Sequence, residues 1–141
     1  MASPNPIDAE LDALADDFEL LGDWEERMAY LIELGRGLDP LDEVERNEET
    51  KVRGCSSQVW LVSRFADGAL HFRGDSDALI PKGLIAVTLR LYDGRRPADI
   101  LAFDAKAGFE RLGLSGALTQ QRANGLASMV ARIRQEAAAR A

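Results

Sequence analysis

Residues 59–73 read VWLVSRFADGALHFR, and this stretch decides the fold. Val59, Leu61, Ser63 and Phe65 alternate with Trp60, Val62 and Arg64, and beyond Asp67-Gly68 the residues Leu70 and Phe72 alternate with His71 and Arg73. A period of two marks a strand with one face buried, because successive side chains point to opposite sides of the pleat. Asp-Gly supplies the positive φ angles that a two-residue hairpin turn requires. The stretch is therefore predicted to be a β-hairpin that ends at Gly74-Asp75-Ser76-Asp77. Upstream, Lys51-Val52-Arg53 is a candidate additional strand or edge.

On either side of the hairpin the period lengthens to that of a helix. Ile7, Leu11, Leu14, Phe18 and Leu21 recur at three- and four-residue steps with acids between them, which predicts an amphipathic helix stopped at Gly22. Asp23 opens a second helix, with Glu26 in capping-box spacing. Its apolar residues are Trp24, Met28, Leu31, Ile32 and Leu34, and Gly35 and Gly37 serve as C-terminal breakers. Residues 38–54 form a long connector in which Asp39-Pro40 is placed to open a single turn.

After the hairpin, Asp75 and Asp77 are candidate caps for a helix over about Ala78–Tyr92, with Pro81 in its first turn. A short helix starts at Pro97 and another turn covers Phe109–Leu112. Thr119 caps a last helix striped by Leu126, Met129, Val130 and Ile133, with Ala137–Ala141 expected to fray. Trp24 and Trp60 are expected in the core. Helices, hairpin, then helices is an α+β pattern: one domain over residues 1–141, a small antiparallel sheet with helices packed on it.

Composition removes several functions. A formal net charge of −7 with dispersed basic residues argues against nucleic acid as a partner. No apolar run approaches the ~20 residues of a membrane span, and Met1–Pro6 lacks the charged and apolar regions of a secretory signal. A cytoplasmic location is expected. With Cys 1 and His 1, the chain lacks the thiolates and imidazoles of a zinc or iron–sulfur site.

The only cysteine, Cys55, lies where the connector becomes a strand, between Gly54 and the polar run Ser56-Ser57-Gln58. Gly54 removes a side chain beside the sulfur and lets the backbone bend. Lys51 and Arg53 are the nearest charges, and no acid occurs between Lys51 and Phe65. Cations favour the thiolate, the form that attacks sulfur. Ser57 and Gln58 are positioned to donate hydrogen bonds to it or to satisfy loop backbone. From position and composition alone, an inert buried cysteine is the better-supported reading, because buried free cysteine is common.

The residues from Gly54 to Leu61 (GCSSQVWL) closely resemble the cysteine-loop signature of the SufE family of sulfur acceptor proteins. The likeness continues in Trp24–Arg27 and Tyr30–Gly35, in Leu38–Leu41, in Gly74–Ala78 with Lys82-Gly83-Leu84, and in Arg122–Leu126 with Met129 and Ile133. It spans about residues 18–136. Charges flanking Val52, and Pro81, depart from the family pattern.

The resemblance implies a SufE/IscU-like fold and a persulfide carried on Cys55. It implies sulfur received from a pyridoxal-phosphate cysteine desulfurase of the SufS/CsdA type, whose activity the protein stimulates. The sulfur would pass to an iron–sulfur scaffold complex of the SufBCD type. It implies no cofactor of the chain's own, since the pyridoxal phosphate belongs to the desulfurase. Asp75 would help hold the cysteine loop, and Arg122 would contact the desulfurase or steady the sulfur anion. Lys51 and Arg53 join Arg122 as candidate partner-binding residues. A monomer and a homodimer both fit. Two other readings stay open: a noncatalytic desulfurase adaptor with Cys55 structural, and a thiol redox protein, which would want a base or a resolving cysteine.

Overall fold

A computed structural model describes residues 5–54 and 58–141. The chain runs α1 (Pro6–Glu19), α2 (Trp24–Arg36), β1 (Val59–Ala66), β2 (Ala69–Ser76), α3 (Leu79–Tyr92), α4 (Pro97–Ala102), α5 (Ala105–Arg111) and α6 (Gln120–Arg140), with a 3-10 turn at Ser115–Ala117. This is the expected α+β architecture.

β1 and β2 pair antiparallel from Ala66↔Ala69 to Val59↔Ser76. Asp67 and Gly68 carry φ of 55° and 78°, the mirror-image turn whose twist matches that of the strands. β2 runs past the expected stop at Gly74 and continues through Ser76. Gly74 stays in the strand because it faces α3 at close range. A Cβ there would lie 2.9 Å from the Ile85 side chain and 3.3 Å from that of Leu89.

Each sheet edge is met by one isolated bridge. Lys51 bridges Trp60 beyond β1, and Arg95 bridges Leu70 beyond β2. The edge expected at Lys51-Val52-Arg53 is thus a single bridge.

α3 is the hub. It packs against β2, α1, α2 and α6, and its buried residues include Leu84, Ile85, Val87, Leu89, Leu91 and Tyr92. A helix apolar nearly all round belongs inside a protein. α2 crosses it at Gly35 and Gly83. A Cβ on Gly35 would lie 2.7 Å from the Gly83 nitrogen, and one on Gly83 would lie 2.4 Å from the Leu31 carbonyl oxygen.

Asp23 caps α2 by accepting the Glu26 N–H at 2.8 Å, and Thr119 caps α6 by accepting the Arg122 N–H at 3.2 Å. Several expectations are corrected. Gly35 is a helix-crossing residue inside α2 rather than a breaker. α3 starts after Ala78 with no side-chain cap, so neither Asp75 nor Asp77 caps it. The connector makes turns but no helix at Asp39-Pro40. The turn expected at Phe109–Leu112 is the end of α5. α6 continues to Arg140 because Ala137 is fully buried, which ties down the expected frayed end. Trp24 is 42% exposed, and Trp60 is half-buried beneath the Arg46 guanidinium, 5.5 Å from its ring. No helix among the described residues is long and apolar enough to cross a membrane.

Candidate functional site

Arg53 and Gly54 follow the bridged segment at 50–52, and Gln58 precedes β1, at the end of the hairpin away from the Asp67-Gly68 turn. Val52 N–H donates to the Val59 carbonyl at 2.8 Å, and Leu61 N–H donates to the Thr50 carbonyl at 2.8 Å. Val52 and Val59 are both buried against the core. Cys55 and Ser57, the predicted acceptor and a predicted supporting residue, lie with Ser56 outside the described residues. The residues on either side of them are anchored.

The downstream limb is Gln58. Its N–H donates to the Asp77 carboxylate at 3.0 Å. Its carbonyl accepts the Ser76 hydroxyl at 2.8 Å and the Asp77 N–H at 3.3 Å. Asp77 is therefore spent on this limb, where capping of α3 was expected, while the Ser76 hydroxyl also accepts the Ala78 N–H at 3.3 Å.

The upstream limb rests on α6. Gly54 has φ of 91°, in the left-handed region, and a Cβ there would come within 2.9 Å of the Ser128 hydroxyl. One helical turn on, Arg132 donates to the Lys51 carbonyl at 2.9 Å and also to the Glu49 carbonyl.

Asp75 sits on the outer face of the hairpin, opposite Trp60, yet is only 3% exposed because the connector lies over it. It accepts the Leu41 N–H at 3.4 Å, the Arg46 guanidinium at 2.9 Å and the Ser76 N–H at 2.8 Å, with the Lys82 ammonium 3.5 Å away. Burial pushes its carboxyl pKa upward. The Ser76 N–H, Lys82, the Leu41 N–H and Arg46 together outweigh that and hold it below the ordinary carboxylate value. Asp75 thus fastens the connector to the sheet and supports the cysteine loop only at one remove.

Arg53 pairs with Glu48 at 2.9 Å, and both side chains are largely exposed. Such a pair is worth little and leaves the guanidinium reachable. Lys51 is half-buried. Arg122 donates to the Ala117 carbonyl at 3.3 Å, at the opening turn of α6. Among the described residues its side chain makes no hydrogen bond to either limb. The cations gathered on the upstream limb are therefore Lys51, Arg53 and Arg132. The Asp77 carboxylate stands at the downstream foot, so the charge around the loop is mixed rather than purely cationic.

Sequence reasoning missed Ser76, Asp77, Ser128 and Arg132 as limb anchors. Ser128 and Arg132 share one face of α6 at i, i+4 spacing. Nothing in the sequence links that face to a carbonyl 81 positions away.

Fold and site together define a class: a small α+β protein with helices backing a short hairpin and a loop clamped at both feet beside it. Known proteins identify the class further. The SufE family profile, described as an Fe-S metabolism associated domain, matches residues 12–137. An uncharacterized SufE-like protein of Rhizobium etli is 49% identical over 137 residues, covering 94% of this chain and 93% of that protein. One from Rhizobium meliloti is 47% identical over 134 residues, covering 92% and 96%. The solution structure of a hypothetical protein from Thermus thermophilus superposes with a TM-score of 0.75 at 18% identity, covering 92% of this chain and 93% of that one, which shows the shared fold. The chain belongs to the SufE family. That family acts in iron–sulfur metabolism, in sulfur transfer, and as a partner of cysteine desulfurases.

Proposed function

We propose that this protein accepts sulfur on Cys55 from a pyridoxal-phosphate cysteine desulfurase, stimulates that enzyme, and delivers the sulfur to an iron–sulfur assembly scaffold. The observation that supports this most directly is the family match over residues 12–137, within which the chain's single cysteine falls between the two anchored limbs. The step is a transpersulfidation. The Cys55 thiolate attacks the outer sulfur of the donor persulfide; a new S–S bond forms, the donor's S–S bond breaks, and the donor cysteine leaves as thiolate. No net electron transfer occurs, and one proton on the persulfide accompanies the sulfur. Lys51, Arg53 and Arg132 are the cations along the upstream limb, with Glu48 paired to Arg53, and a cation close to a thiol favours its attacking thiolate form. With no second cysteine in the chain, the cargo is not resolved to an internal disulfide.

Mass spectrometry after incubation with a cysteine desulfurase and free cysteine tests this. The wild type is expected to gain one sulfur and Cys55→Ser none. Equal gain by the variant, or none by the wild type with an active desulfurase, overturns the reading.

A further inference from the structure

Among the described residues, the segment at 50–52 has one neighbour strand, β1. In the Lys51↔Trp60 bridge the bonds run from Val52 N–H and to the Thr50 carbonyl, so the N–H and C=O of Lys51 point to the opposite, open edge. The N–H is satisfied locally by the Asn47 carbonyl at 3.0 Å. The Lys51 carbonyl and the Glu49 carbonyl are both taken by Arg132. A planar guanidinium with several donors stands in for a missing strand. Ser128, one turn earlier on the same face of α6, abuts Gly54. α6 itself is anchored in the core by Met129, Ile133 and Ala137, all essentially inaccessible.

We propose that Arg132 is a positioning residue for the Cys55 loop. From α6 it fixes the carbonyls of the upstream limb and so sets how readily the thiol meets an incoming electrophile or sulfur donor. The functional part of this rests on the reading of Cys55 as the acceptor. The positional part does not.

Two measurements on the full chain test it: amide exchange of Val52 and Leu61, whose N–H groups report the limb, and the iodoacetamide alkylation rate of the only thiol. Arg132→Ala is expected to raise both exchange rates about tenfold, the worth of one hydrogen bond from a charged donor. It is expected to change the alkylation rate by at least about threefold through the same opening. Arg132→Lys, which keeps one cationic donor, should fall between. Arg134→Ala is the control for general damage to α6, because Arg134 serves the carbonyls of Ile100, Leu101 and Phe103 instead. It should leave both rates at the wild-type value. Unchanged rates in Arg132→Ala, or equal changes in Arg134→Ala, overturn the proposal. Should Arg132→Ala fail to fold, Arg132→Lys decides it by the same two rates. With desulfurase and cysteine supplied, Arg132→Ala should take up sulfur at an altered rate and still reach one added sulfur. A wild type that takes up none defeats the acceptor reading and leaves the exchange and alkylation results to judge Arg132.

Discussion

The Asp75 carboxylate accepts the Arg46 guanidinium at 2.9 Å, and through that bond a side chain in β2 holds a connector that begins far upstream in the chain. Arg46 in turn lies over Trp60, the cross-strand partner of Asp75. One buried acid thereby ties connector, hairpin and α3 together, the last through Lys82. Removing it as Asp75→Ala strands the Leu41 N–H and two cations. The expected cost is about 2 kcal/mol, less than the ~3–5 kcal/mol of a fully enclosed pair because Arg46 and Lys82 keep some contact with water. Urea denaturation measures it, and a loss below about 0.5 kcal/mol, the size of an ordinary surface substitution, would show that the connector is held by other contacts.

The same group sets an acid limb. Its folded pKa lies below its ordinary value, so the unfolded chain binds the proton first as pH falls. Its contribution is fully present above about pH 4, the range of an unperturbed carboxyl, and is lost as pH drops through the folded value. Asp75→Asn keeps an acceptor for the Leu41 and Arg46 donors but does not titrate. Its stability should fall less steeply than the wild type's as pH drops below about 4. Parallel acid curves for the two proteins would rule Asp75 out as the source.

The hairpin was legible because its determinants are local: a two-residue period and an Asp67-Gly68 turn whose positive φ angles are a property of those residues themselves. The caps at Asp23 and Thr119 were legible for the same reason. Gly35 was misread because a helix breaker and a helix-crossing residue are the same amino acid, and only the approach of Gly83 separates them. Asp75 and Asp77 were misread as caps. Their side chains have the right chemistry for capping, but the nearest unsatisfied donors in space belong to Leu41, Arg46 and Gln58. The position of Cys55 in the chain was legible. The helix that braces its upstream limb was not, since the contact depends on how α6 packs rather than on any residue near position 55.

Gly54 is the point where backbone conformation and that brace meet. Its φ of 91° strains any residue with a Cβ, and the added carbon would also press on the Ser128 hydroxyl at 2.9 Å. The two costs differ in kind. The hydroxyl can rotate away, whereas the dihedral is imposed by the limb between Arg53 and the loop. Gly54→Ala should therefore lose about 1–2 kcal/mol, and adding Ser128→Ala should recover less than about 0.5 kcal/mol of it, the coupling expected when a contact is not the cause. Chemical denaturation of the two single variants and the double variant completes the cycle. Recovery of most of the loss in the double variant would mean that crowding against α6, rather than the left-handed backbone, is what requires glycine beside Cys55.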